Sequence, residues 1–428
     1  MKTKKILFLI LFTFTTLIVN AQFKVDAEIR PRFEFNDGVK TLLSKDESPA
    51  FVTSQRSRLN LSLTDEKVNI FFSIQDCRIW GESIYKKDVP SIMVNEAWAS
   101  YAFKENITLK LGRQLLNYDD KRLFGPSDWG TVGATHDLAL LKVKGNDTKI
   151  DMGFAYNNNV DKKYESNYPL DYYKYLGFVW INKAFSKNFS LSLMNIADGY
   201  QKEDSDDTIY SRFTSGFYGN YMNDSSLLSL SFSVYYQYGK SPDGSSVGAY
   251  FFSIAPEFKL SKKLKVIAGI DYLSGGDAFS SSNKNKAFST LYGDTHGYYG
   301  HMDYFTSIDE DTQGSGLADL FLSFQHKLSS NTSFEFWVHN FSLTNNAVDT
   351  VSSPGNTLKA KKKLGNEIDL MLKHKLSNNV ELRVGYSTML ATETMELFKG
   401  GDHSKYQQWG WVSLIFKPTL FKTESKKN

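Results

Sequence analysis

The sequence predicts an all-β protein: a single closed, antiparallel transmembrane β-barrel of about 18 strands, entered after a cleaved signal peptide. Three observations carry this expectation. The stretch FKVDAEIRPRFEF, residues 23–35, is apolar at every odd position and charged at every even one. Successive side chains of a strand point to opposite faces, so one wall is apolar and the other ionic. Segments of this kind recur along the chain, and the connections between them alternate between tight polar turns and long loops. That asymmetry belongs to outer-membrane barrels, with turns at the periplasmic end and loops outside. Finally, beyond the leader no segment offers the eighteen or so consecutive apolar residues of a spanning helix, while Phe and Tyr number 32 and 24.

The leader comes first. Lys2, Lys4 and Lys5 precede an apolar run from Ile6 to Val19, and Val19-Asn20-Ala21 supplies the small or neutral residues before a cut after Ala21. Three of the 50 basic residues leave with it, and the remaining 47 equal the 47 acidic ones. A neutral mature chain gives no argument for nucleic acid as a partner. Cys77 is the only cysteine, so no internal disulfide forms.

Residues 22–417 then divide into strands at roughly 23–35, 52–64, 67–80, 91–103, 106–118, 134–144, 148–158, 171–183, 188–198, 208–222, 226–239, 248–260, 263–274, 315–328, 332–343, 364–376, 379–391 and 405–417. A soluble sandwich or propeller also alternates. Neither needs an even strand count with alternating loop lengths, and neither favours strands of about a dozen residues. Open edges cannot sit in hydrocarbon, so the chain closes on itself with both termini periplasmic. Phe23, Val25, Ile29 and Phe33 face lipid. Pro31 shares their parity but lacks an N–H, which predicts a bulge or bend. The last strand ends in WVSLIF, with Val412, Leu414 and Phe416 outward, the form expected of a segment read by the barrel assembly machinery. Residues 418–428 read as a polar tail.

The inward parity sets the candidate solute path. Arg30 and Arg32 on the first strand and Arg56 and Arg58 on the second form a basic wall, which either steers anionic solutes or forms a cross-strand ladder with Glu28, Glu34 and Glu96. Lumen parity adds Lys110, Lys265, Lys327, Lys373 and Arg383, and on the acidic side Asp271, Asp319, Glu335, Glu367, Asp369 and Glu381. Asp76, Arg78 and Arg113 break the alternation: either a bulge re-aims them inward or the strand has risen above the lipid, and they are expected to project towards the constriction. The long aromatic loop 275–314 is expected to fold into the mouth.

Several stretches resemble the alginate export family of outer-membrane barrels. They are SQRSRLNLSL after the first strand, IQDCRIWGE at 74–82, NEAWASY at 95–101, LGRQLLNYDDKRLFGPSDWG at 111–130, HDLALLK at 136–142, TLYGDTHGYYGHMDYF at 290–305 and LGNEIDLMLKHKLSNNVELRVGYSTML at 364–390. The resemblance implies eighteen strands in the outer membrane of a Gram-negative bacterium. It also implies a long periplasmic plug loop in the exporter itself, and every periplasmic turn here is short. The expected function is therefore a passive porin for small hydrophilic, anionic or oligosaccharide solutes; the alternatives are a dedicated alginate-type exporter, a structural barrel or a barrel hydrolase. No G-x-S-x-G or H-E-x-x-H motif is present, so no catalytic residue, metal or cofactor is expected. The spacing of His296, His301 and Asp303 is nonspecific, and Asp204–Asp207 lacks the Gly and Glu of a calcium loop.

Overall fold

The computed structural model describes residues 21–82, 91–164, 166, 168–202, 208–223, 227–349 and 358–423. Residues 1–20 of the expected signal peptide and the acidic run 204–207 lie outside them. Among the described residues eighteen long strands form one antiparallel sheet: β1 Gln22–Asp37, β2 Ala50–Thr64, β3 Val68–Ile79, β4 Ile92–Lys104, β5 Ile107–Gln114, β6 His136–Lys144, β7 Thr148–Tyr156, β8 Tyr175–Ala184, β9 Phe189–Gln201, β10 Ile209–Tyr221, β11 Leu228–Lys240, β12 Ser246–Lys259, β13 Leu264–Leu273, β14 Leu317–Lys327, β15 Thr332–Leu343, β16 Lys363–Ser377, β17 Val380–Ala391 and β18 Gln407–Phe416. β1 pairs with both β2 and β18, so the sheet has no free edge. The predicted alternation holds along the wall. On β12, Tyr250, Phe252 and Ile254 are exposed to the lipid side, while Ala249, Phe251 and Ser253 are buried inside.

Two local expectations change. The β1–β2 register runs unbroken through Pro31, and the β1–β18 ladder skips Arg30 and Pro31 without shifting. The missing N–H costs ladder bonds there but inserts no residue, and Ser413 Oγ donates to the Pro31 carbonyl at 3.0 Å. The shift falls earlier instead, between Val25 and Asp26. There the segment read as a polar tail proves to be partly strand: Thr419–Lys422 pairs with Lys24–Asp26 and prolongs the closing seam.

The apolar core lies inside the barrel rather than between sheets. Leu116, Tyr118, Leu123 and Phe124 come from loop 115–135, and Phe288, Tyr299, Met302, Tyr304, Phe305 and Ile308 from loop 274–316. They pack against Leu176, Phe178, Phe251, Phe341, Trp409 and Trp411 on the inner wall. Both loops leave the long-loop end and fold back into the lumen. By their order at that end they are L3 and L7.

Candidate functional site

The basic wall holds L3. Arg30 donates to the carbonyls of Asp128, Trp129 and Gly130 at 2.7, 3.2 and 2.6 Å. Arg32 donates to Trp129 O at 2.9 Å, lies 4.3 Å over the Trp129 ring and pairs with Glu34 at 2.8 Å. Arg56 has no exposed surface. It sits between Glu28 at 2.5 Å and the Asp128 carboxylate at 2.8 Å. Arg58 gives two bonds to Gln75 Oε1 and reaches Asp128 at 3.7 Å. The expected basic wall thus exists, but its donors are taken by Asp128-Trp129-Gly130 and by the wall's own Glu28, Glu34 and Gln75. Burial works to raise the Asp128 carboxyl, yet Arg56, with Arg30 and Arg58, holds it below the usual carboxylate range.

The acidic wall holds L7. Glu367 and Asp369 on β16 are fully buried. Glu367 Oε1 accepts the Met302 N–H at 2.7 Å, and Asp369 lies 3.8 Å from both His301 and His339. His339 in turn bonds Asp319 at 2.8 Å. Burial lowers the His301 imidazole, against the pull of Asp369. Gly300 has φ +81°, and a Cβ there would lie 2.5 Å from the Glu367 carboxylate, so only glycine lets the loop approach this wall.

Between the walls the loops join. Tyr292 N donates to Leu123 O at 3.1 Å, Gly125 N to Tyr292 O at 2.9 Å and Asp294 N to Lys121 O at 2.9 Å. Phe124 and Tyr292 form a parallel bridge with stacked rings 5.6 Å apart. A Cβ on Gly293 would meet Arg122 O at 2.3 Å, and one on Gly125 would meet Asp294 N at 2.7 Å. Backbone touches backbone there. Arg122 reaches onward to Asp271 on β13 at 2.5 Å.

Three expected lumen residues point elsewhere. Cys77 faces inward, donating to Thr131 O at 3.0 Å, so its neighbours Asp76 and Arg78 face outward, paired with each other at 2.6 Å. The β2–β3 register is unbroken through them. Arg113 is likewise outward, paired with Asp137 at 2.7 Å, both half-exposed. These strand ends rise above the apolar band, where paired charges on the outer face cost little. Glu96 does face inward, on the parity of Trp98 and Ser100 and opposite the buried Ser73; the register shift between Ser73 and Ile74 falls beyond it. Glu96 bonds the Trp98 indole and the Leu115 N–H rather than an arginine. Arg383 lines a small lumen cavity with Arg30, Arg32, Trp129 and Trp411, and pairs with Glu381 at 2.5 Å.

Sequence reasoning missed Asp120, Arg122, Asp128 and Trp129, though Tyr292 belongs to the aromatic loop expected to fold inward. The clustering of the four in the motif-like stretch 111–130 was the available signal. Of the weighed metal trio, His296 bonds Asp303 at 2.7 Å while His301 turns to Asp369. Among the described residues Glu396, Asp402 and His403 lie closest to a metal-like group, on an outer loop.

Two cavities flank the loop junction along β10–β12. The lower, periplasmic one has a volume of about 380 Å³ and is lined by Asp119, Asp120, Glu257 and Asp271 with Tyr218, Tyr298 and Trp337. The upper has about 420 Å³ and is lined by Arg212, Asp243, Tyr292, Asp309 and Glu310.

This geometry agrees with the comparisons. The model of the alginate export family matches residues 21–405. The chain belongs to the alginate export family. No curated protein matches the sequence. Solved structures share the fold at low identity. Acinetobacter baumannii OccAB1 is 10% identical, with a TM-score of 0.62 over 93% of this chain and 97% of that one. Pseudomonas aeruginosa OpdL is 12% identical, with a TM-score of 0.61 over 93% and 99%. Both are outer-membrane porins, and this alginate export family member is an outer-membrane β-barrel.

Proposed function

We propose that the protein is a passive outer-membrane channel for small hydrophilic solutes, with its lumen divided by a plug made of L3 and L7. One observation carries this reading: two cavities with carboxylates in their linings lie along the inner face of β10–β12, below and above the place where the loops cross. Loops are the mobile, replaceable parts of a barrel, whereas side chains filling a small barrel are not. The occupied arginine wall speaks against a dedicated alginate-type exporter, which needs free cationic groups along its path. The neighbours are channels rather than enzymes, and no catalytic step is needed. Purified protein in planar bilayers is expected to give stepwise currents, and shortening 274–316 is expected to enlarge them. Absence of current from both forms would replace the channel with a filled structural barrel.

A further inference from the structure

We propose that the pocket now holding the Arg122 guanidinium is the binding site for the channel's solute, and that this solute carries a guanidinium or primary ammonium group. This names a solute class for the channel and rests on that reading. Arg122 belongs to L3, yet apart from Asp120 its site is built by other elements. Its Nη1 donates to Asp271 Oδ2 at 2.5 Å and to the Tyr299 hydroxyl at 3.2 Å, and its Nε pairs with Asp120 at 3.1 Å. Its Cζ lies 3.8 Å over the Tyr298 ring, with Phe251 and Tyr299 at 5.4 and 5.8 Å. Carboxylates and ring faces are what a delocalised cation requires once it loses water.

Arg122 does not exhaust the site. Asp271 is 1% exposed, and its Oδ1 has no hydrogen-bond partner. The site opens on the lower cavity of about 380 Å³, which also presents Asp119, Trp337, Lys121 and a Glu257 paired with Lys265 at 2.9 Å, a volume suited to a small solute. Beyond the crossing, the upper cavity presents Asp243, Asp309 and Glu310, and its lining Arg212 is tied to Asp198 at 2.6 Å. A cation therefore meets carboxylates on both sides of the plug. An anion meets arginines already bonded to L3. Arg122 acts as a tethered stand-in for the solute, and a solute that displaces it frees L3 from the acidic wall.

The test is chemical rescue in Arg122→Ala, with folding checked by heat-modifiable electrophoretic mobility. Agmatine titrated calorimetrically into this variant is expected to bind saturably, while sodium chloride and glucuronate are not. Adding Asp271→Asn should weaken agmatine binding by about tenfold or more, the loss of one charge-assisted hydrogen bond. Glucuronate binding in place of agmatine, or agmatine binding indifferent to Asp271→Asn, overturns the inference. Should Arg122→Ala not fold, the wild-type barrel decides the matter under a guanidinium–potassium gradient. A reversal potential favouring guanidinium, reduced by Asp271→Asn, supports the site, and an anion-selective pore overturns it. Specific agmatine binding with no current from any variant would keep the cation site and end the channel reading instead.

Discussion

Arg56 shows how little a residue's face reveals about its work. Alternation places it in the lumen, and it is there, but with no surface exposed and with Glu28 and Asp128 on either side. Removing one partner of such a buried cluster costs about 3–5 kcal/mol. Arg56→Ala is therefore expected to release L3 rather than to change ion selectivity. The native Cys77 reports this directly, since its thiol is covered by Thr131. Thiol-reagent labelling and unit conductance should both rise in Arg56→Ala; a changed reversal potential with unchanged labelling would return the arginines to the solute path. Asp119 adds a pH dependence. Burial raises its carboxyl to about 6, against hydrogen bonds from Ser192 and Trp180. The loop-in state thus prefers the protonated form. That preference is complete below the ordinary value of 3.8 and is lost as pH rises through about 6. Asp128, held low by its arginines, stays ionised through this window. Conductance should accordingly be lower at pH 5 than at pH 8, and Asp119→Asn should flatten the difference. The parity rule exposed Arg30, Arg32, Arg56 and Arg58 because side-chain period is a property of one strand. It could not show their partners, because a loop's path through a lumen has no period.

The strands themselves were legible, since a half-buried wall imposes a two-residue repeat on every segment. Their ends were less so, for a physical reason visible at β5. The apolar residues after Gln114 look like more strand, yet Leu116 and Tyr118 turn inward and join the lumen core. Apolar character there serves the plug, not the lipid. The same ambiguity hid the entry of L3 into the lumen, though its length was legible, while the length and aromatic content of L7 announced its inward fold. The crossing of the two loops depends on Gly125 and Gly293, where a Cβ would strike the opposing backbone. Gly293→Ala is expected to cost about 1–3 kcal/mol at the crossing, the range of overpacking. It should leave the barrel's heat-modifiable mobility intact while making L7 more sensitive to limited proteolysis. Unchanged protease sensitivity would mean that the walls alone hold the loops.

At the scale of the whole barrel, closure decides what the chain end is for. Sequence alternation stops at Phe416, and the polar residues that follow looked expendable. Yet Thr419–Lys422 pairs with Lys24–Asp26, Thr419 Oγ1 bonds Asp26 at 2.7 Å, and the Phe23 N–H reaches Thr423 Oγ1 at 2.8 Å. A closed sheet in hydrocarbon must satisfy every backbone group, and the seam between first and last strands is where a shortfall appears. Alternation could not reveal this, because the segment lies past the apolar band, where the outer face no longer has to be greasy. Deleting 419–428 is thus expected to lower the temperature at which the folded electrophoretic form is lost, without preventing assembly. Val412→Lys should do more harm. Val412 faces lipid midway along β18, opposite Phe33 and Val384, where a lysine costs about 2–4 kcal/mol at the midplane. If the deletion blocked insertion while Val412→Lys assembled normally, the assembly machinery would be reading the terminal pairing segment rather than the apolar face of β18.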